Sequence, residues 1–152
     1  TNPVPACSRW SAAPDADPMA VHERLLDPSA ILWDGSTTWV QLEGHEADVA
    51  AQEAVLVDLG RFAPADADVD PDTGLPVALP ERRWSMAPAD LAGLDGSATG
   101  PFVAAIGLGL VFAERPQPPR PLAEPVAEVS RRLKDNFDPT GRLNPGREPA
   151  RP

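Results

Sequence analysis

The sequence predicts an α+β fold in which helices cover one face of an antiparallel sheet, in a ferredoxin-like arrangement. Three observations predict it: a hairpin signal at residues 30–42, helical patterns that each carry one apolar stripe, and an apolar run at residues 102–112. The 152 residues suit a single domain with a buried core. We assign residues 1–16 to a proline-rich lead-in and residues 17–152 to the domain.

Two helices are expected in the first half of the chain. Asp17 and Pro18 are typical of a helix N-cap and of the first helical residue, and Asp27-Pro28 should end this short helix. A second helix is predicted at residues 45–59, with Gly60 as its stop. Its apolar stripe consists of Val49, Leu56 and Val57.

Between these helices, residues 30–33 and 37–42 are predicted to form a β-hairpin. Asp34-Gly35-Ser36 suits a tight turn, and β-branched and aromatic residues flank it. Because side chains alternate between the two faces of a strand, Val40 and Leu42 share one face. We expect that face to point into the core.

The middle of the chain, residues 62–80, is acidic and interrupted by prolines, and we expect a loop there. Aspartates at alternate positions resemble part of a calcium-binding loop. Position six of that loop is Pro71 and position twelve is Val77, where calcium binding requires glycine and glutamate. A solvated acidic loop is therefore the favoured interpretation, and no metal site is predicted. Residues 82–86 then suit a short strand, and residues 87–91 suit a helical turn.

The apolar run at residues 102–112 contains two glycines and is predicted to be one central, buried strand. Gly107 and Gly109 would lie on one face, where another backbone or a ligand could approach closely. A stiff proline-rich connector at residues 116–121 leads to a final helix at residues 121–136. The apolar stripe of this helix consists of Leu122, Val126, Val129 and Leu133.

Composition argues against several classes of partner and site. The formal net charge of −10 disfavours binding to nucleic acid and to an anionic membrane surface. Cys7 is the only cysteine, so an intrachain disulfide and a cysteine-rich zinc site are ruled out. The sequence has no run of about twenty apolar residues and no basic-then-apolar leader. We therefore expect a cytoplasmic protein without a membrane span.

The common catalytic motifs find no match. His22 and His45 are the only histidines, and no third ligand stands at a spacing suited to zinc. No serine has the context of a nucleophile elbow. Gly107-Leu108-Gly109 lacks the third glycine of a dinucleotide-binding fingerprint. The sequence motifs therefore assign no catalytic residue, and its identity is unknown.

Two segments with arginine remain as candidate binding sites. Residues 82–85, Arg-Arg-Trp-Ser, place guanidinium groups beside an indole, and arginine suits bidentate binding of a carboxylate. Surface arginines around a partly buried Trp84 are the alternative interpretation. Near the end of the chain, Asn144 and Arg147 flank Pro145-Gly146. This dipeptide either fixes the direction of both polar groups or forms an ordinary helix exit.

The same end of the chain carries the most specific motif, Phe137-Asp138-Pro139-x-Gly141-x-Leu143-Asn144-Pro145-Gly146-Arg147. It resembles the C-terminal signature of FAD-linked oxidases in the vanillyl-alcohol oxidase superfamily, and in particular of glycolate-oxidase-type FAD subunits. Further similarity to the C-terminal half of such subunits lies at residues 31–35, Trp39, residues 42–44, residues 83–85 and residues 105–111. The resemblance covers most of the chain after residue 17.

The resemblance implies the C-terminal, substrate-side domain of an FAD-dependent oxidoreductase. In such proteins a separate N-terminal domain holds FAD, and the C-terminal domain covers the flavin ring and shapes the substrate pocket. Carried over by position, Asn144 and Arg147 would contact the cofactor, while Arg83 and Phe112 would contact the substrate. The implied reaction is oxidation of a 2-hydroxy acid such as glycolate, with hydride transfer to FAD.

Two features depart from the family pattern. Nothing in this chain resembles the flavin-binding domain, so the implied partners are a flavin-binding domain or subunit and an iron–sulfur or other electron-acceptor subunit. Relatives often have a histidine where Phe112 stands, and a phenyl ring cannot transfer a proton. These departures leave open the alternative that the chain is a non-catalytic scaffold or binding module of an oxidase complex.

Overall fold

The computed structural model describes residues 5–118 and 124–140. The chain divides into two compact units, Thr1–Gln117 and Pro118–Pro152. The strands, all in the first unit, are β1 (Cys7–Pro14), β2 (Ala30–Trp33), β3 (Thr37–Gly44), β4 (Ala63–Pro64), β5 (Arg82–Ser85), β6 (Phe102–Ala105) and β7 (Leu110–Ala113). The helices are α1 (Pro18–Arg24), α2 (Glu46–Leu59), α3 (Gly96–Thr99) and, in the second unit, α4 (Glu124–Phe137).

The strands of the first unit form one sheet. Across the described residues its order is β4-β1-β3-β2-β6-β7-β5, and every neighbouring pair is antiparallel. The predicted α+β class with an antiparallel sheet is therefore confirmed. In the part of the chain that the structure describes, no helix has the length and apolar character needed to span a membrane.

Strand β1 lies inside the proline-rich lead-in, where the sequence analysis expected no strand. It pairs with β3 along its whole length, from Cys7 opposite Gly44 to Pro14 opposite Thr37. Its sequence, Cys-Ser-Arg-Trp-Ser-Ala-Ala-Pro, contains no β-branched residue, so local propensity does not indicate a strand. Pairing with the neighbouring strand overrides that weak propensity.

Helices α1 and α2 pack on one face of the sheet, as predicted. The core on this side includes Val21 and Leu25 from the α1 segment, Val49 and Leu56 from α2, and Ile31, Val40 and Leu42 from the strands. The opposite face carries a second cluster that contains Trp10, Leu32, Ala65, Val103 and Ala105. Apolar residues of the acidic, proline-broken segment pack against this second cluster: Val69, Leu75, Val77 and Leu79.

The two predicted helices of the first half begin and end near their expected residues. Asp17 caps α1 by accepting a hydrogen bond from the Met19 N–H at 2.9 Å, and Pro18 is the first helical residue. At the end of α2, the Gly60 N–H donates to the Leu56 carbonyl. Val57 was wrongly placed on the buried stripe, since its side chain is 75% exposed.

The predicted hairpin of β2 and β3 is confirmed, with Thr38, Val40 and Leu42 fully buried. The prediction of one long strand at residues 102–112 is wrong, because the run folds back on itself as the hairpin of β6 and β7. Gly107 and Gly109 have φ values of +86° and +65°, which glycine adopts readily and other residues avoid. The two glycines therefore form the turn.

Helix α4 is described by itself, as part of the second unit. The sequence predicted a helix at residues 121–136, and the observed helix is Glu124–Phe137. Three members of its predicted stripe, Val126, Val129 and Leu133, are 50%, 56% and 52% exposed. Leu122, the fourth member, lies outside the described residues, as does the last part of the proline-rich connector.

Candidate functional site

Arg83 and Phe112 lie directly opposite each other on β5 and β7. The guanidinium carbon of Arg83 is 5.6 Å from the centroid of the Phe112 ring, within the range of a cation–π interaction. Arg83 is exposed and Phe112 is half-buried. The structure thus brings together the two residues that the resemblance assigned to the substrate side.

Both side chains project from the sheet face that lies opposite α1 and α2. Phe112 is also opposite Val103 of β6, and residues opposite each other in an antiparallel pair share a face. Val103 belongs to the cluster on that opposite face. Arg82, the neighbour of Arg83, therefore points to the helical face, because side chains alternate along a strand.

The strand that carries Arg83 is fixed at its outer side by residues 115–117. The buried Trp84 donates its indole N–H to the Arg115 carbonyl at 2.7 Å. The Gln117 side chain accepts from the Ser85 N–H at 3.0 Å and donates to the Ser85 carbonyl at 2.9 Å. These bonds replace a further strand at the edge of the sheet and hold the chain directly after Arg83.

The guanidinium of Arg83 is available to a ligand. Among the described residues it forms no ion pair, in contrast to Arg9, which contacts Glu53 at 2.9 Å and Glu46 at 3.7 Å. An exposed guanidinium that lies over a ring keeps its N–H donors directed outward, where they can bind a carboxylate. The pair therefore offers one anion-binding group beside one apolar surface.

The aspartates that resembled a calcium loop have other roles. Asp66 accepts a hydrogen bond from the Trp10 N–H at 2.8 Å and so joins the loop to β1. Asp70 accepts from the N–H groups of Asp72 and Thr73 and stabilises a turn. In the part of the chain that the structure describes, no group of three or more His, Cys, Asp or Glu is arranged to hold a metal ion.

Neighbouring groups shift the pKa of two side chains outside this site. Donation by the Ser97 hydroxyl and by the Ser97 backbone N–H lowers the pKa of the Asp95 carboxyl. Electrostatic interaction with Cys7, and then with Glu53, raises the pKa of the Arg9 guanidinium. Both groups stabilise local structure: Asp95 caps α3, and Arg9 links β1 to α2.

Asn144 and Arg147, the residues that the resemblance assigned to the cofactor side, lie outside the described residues.

Gly107 and Gly109, which were expected to permit close approach, do so in the turn between β6 and β7. A Cβ atom at Gly109 would overlap the carbonyl oxygen of Met86, so the backbone after β5 approaches this glycine directly. The approaching group is thus part of the chain itself.

Comparison of the chain with protein-family models, with curated proteins and with solved structures finds no match.

Proposed function

We propose that the chain is the C-terminal, substrate-side domain of an FAD-dependent oxidoreductase that oxidises a 2-hydroxy acid such as glycolate. A flavin-binding domain or subunit would hold FAD, and an iron–sulfur or other electron-acceptor subunit would receive the electrons. The observation that carries the proposal is the Arg83–Phe112 pair, in which an exposed guanidinium lies 5.6 Å from a half-buried ring.

The order of elements gives independent support to the proposal. Residues 7–64 follow the order β1-α1-β2-β3-α2-β4, with the strands side by side as β4-β1-β3-β2 and both helices packed on the same face. That order is the one expected of a ferredoxin-like unit. We propose that this segment is such a unit and that β5, β6 and β7 extend its sheet beyond β2.

The described residues fit a role in covering the flavin better than a role in holding its phosphates. Gly107 and Gly109 lie in a hairpin turn that leads into a strand, whereas a phosphate cradle needs a glycine-rich turn before a helix N-terminus. Arg83 and Phe112 present an exposed cation and a half-buried ring on the sheet face opposite α1 and α2, which suits the substrate side. The bulk of FAD binding is therefore assigned to the separate domain or subunit.

When bound, FAD would supply the hydride acceptor for the proposed oxidation. Arg83 binds the substrate carboxylate through two parallel N–H donors and so fixes the orientation of the molecule. Phe112 packs against the carbon atoms of the substrate and excludes water from that side. Because a phenyl ring carries no exchangeable proton, the hydroxyl proton must pass to a group other than Phe112.

The test is a flavin absorbance spectrum of the chain purified together with the domain or subunit that naturally accompanies it. We expect a flavin band that bleaches when glycolate or D-lactate is added without oxygen. A complex that remains colourless after FAD is added would overturn the proposal. That result would favour the alternative function, a scaffold in an oxidase complex. The observation that favours this alternative is the half-buried Phe112, which stands in place of a side chain able to transfer a proton.

A further inference from the structure

A cavity of about 380 Å³ lies at the end of the sheet where β2 and β6 separate, away from Arg83 and Phe112. The two strands pair only at Leu32–Ala105 and Trp33–Ala104, and one more bond joins the Ile106 N–H to the Ile31 carbonyl at 2.9 Å. Beyond that bond the chain turns away. The cavity lies between this turn and the segment that links α1 to β2.

The floor of the cavity is apolar and its mouth is polar. Buried side chains form the floor: Leu25, Ile31, Leu32, Ala105 and Ile106. His22, Asp27 and Ser29 line the same cavity and are exposed to solvent. Small-molecule sites typically have such a volume, an apolar lining and a few convergent polar groups.

Two backbone features shape the mouth. Asp27 has a φ of +56°, a left-handed conformation that few residues other than glycine adopt. On the other side, a Cβ atom at Gly107 would lie 2.9 Å from Cε1 of His22, so only a glycine lets the imidazole pack against the turn. His22 and Asp27 therefore both line the cavity, and the turn at Gly107 closes it on the other side.

From these features we propose that the cavity binds a small primary amine with an apolar body, and that its ammonium group contacts Asp27. The apolar body would fill the space above Ile31 and Ile106, and the ammonium group would donate hydrogen bonds to the Asp27 carboxylate and the Ser29 hydroxyl. A ligand with a carboxylate is disfavoured, because Asp27 stands at the mouth and the chain carries a net charge of −10.

The experiment is an NMR titration of the full ¹⁵N-labelled chain with phenethylamine, 2-phenylethanol and phenylacetate, which share an aromatic body and differ in the head group. We expect phenethylamine to shift the amide signals of His22, Ala30 and Ile106 along one saturable curve. Phenylacetate should leave them unchanged at the same concentration. Equal shifts with the three compounds, or no saturation with phenethylamine, would overturn the proposal.

A matched pair of variants tests the role of the carboxylate. Asp27→Asn keeps a residue that tolerates the left-handed conformation and removes the charge, and it should weaken phenethylamine binding about fivefold. Asp15→Asn is the control, because Asp15 is also exposed, has a φ of +58° and lies outside the cavity. An equal effect of the two substitutions would contradict the proposed contact, and so would the absence of any effect of Asp27→Asn.

Discussion

The guanidinium carbon of Arg83 lies 5.6 Å from the centroid of the Phe112 ring, across the antiparallel pair of β5 and β7. The contact has a structural consequence that can be measured without a substrate. In the double-mutant cycle of Arg83→Met and Phe112→Leu, we expect a coupling free energy of about 0.5–1 kcal/mol in urea denaturation. In the control cycle, Arg82→Met replaces Arg83→Met. Because Arg82 points to the other face of the sheet, its coupling free energy with Phe112→Leu should be near zero. Equal coupling in both cycles would contradict the assignment of faces.

The turn between β6 and β7 depends on Gly109. Gly109→Ala introduces a Cβ atom against the Met86 carbonyl oxygen at a φ of +65°, so we expect a loss of more than about 2 kcal/mol in the free energy of unfolding. Gly93→Ala is the control, because a Cβ atom there meets nothing within 4 Å. Its effect should be below about 1 kcal/mol. Similar losses for the two variants in thermal or urea denaturation would show that the turn tolerates a side chain.

The hydrogen bond from the Trp84 indole to the Arg115 carbonyl stabilises the edge of the sheet. Trp84→Phe removes the donor and part of the buried ring, and it should lower the free energy of unfolding by about 1.5–3 kcal/mol. Hydrogen exchange should also become faster at the amides of β5. Trp39→Phe is the control, because Trp39 is a half-buried tryptophan of the same sheet. A loss as large as that of Trp84→Phe would argue against a specific role of this bond.

Asp95 should make stability depend on pH in acid. Its pKa is lower in the folded chain than in the unfolded chain, because Ser97 donates to the carboxylate. The stabilisation is therefore fully present above the ordinary aspartate pKa of about 3.9 and is lost as the pH falls through the lower pKa of the folded state. Acid denaturation of Ser97→Ala, compared with the wild type, should show a smaller pH dependence in this range. If the acid transition of Ser97→Ala is the same as that of the wild type, the hydrogen bond from Ser97 does not cause the pH dependence.

Local sequence predicted the elements whose conformation is set by neighbouring residues. The hairpin of β2 and β3 was predictable, because the Asp34 carboxylate accepts from the N–H groups of Ser36 and Thr37 and fixes the turn. The same holds for the cap of α1 at Asp17.

Features set by distant parts of the chain were missed. Strand β1 owes its conformation to its pairing with β3, and its composition gives no strand signal. The apolar run at residues 102–112 fits one buried strand as well as a hairpin until the two glycines are seen at positive φ.

The geometry of the candidate sites also depends on contacts between distant parts of the chain, which local sequence does not reveal. Arg83 and Phe112 were assigned to one site by resemblance, but their direct opposition depends on the register of β5 with β7, which spacing along the chain does not reveal. The cavity near Asp27 was not predicted, because its two walls are about eighty residues apart in sequence and only the fold places them together. Its local signals are weak: the sequence suggests His22 only as a possible zinc ligand that lacks partners, and Asp27 only as part of a helix end.

The proposed role of Arg83 is tested most directly by titrating the flavin-containing assembly with glycolate or D-lactate and following the bleaching of the flavin band. Arg83→Met should raise the substrate concentration needed for half-maximal bleaching by about ten- to a hundredfold, because a charge-assisted pair of hydrogen bonds is lost. Arg82→Met, on the opposite face, should match the wild type. If Arg83→Met bleaches at the same substrate concentration as the wild type, Arg83 does not bind the substrate carboxylate, and the central claim fails.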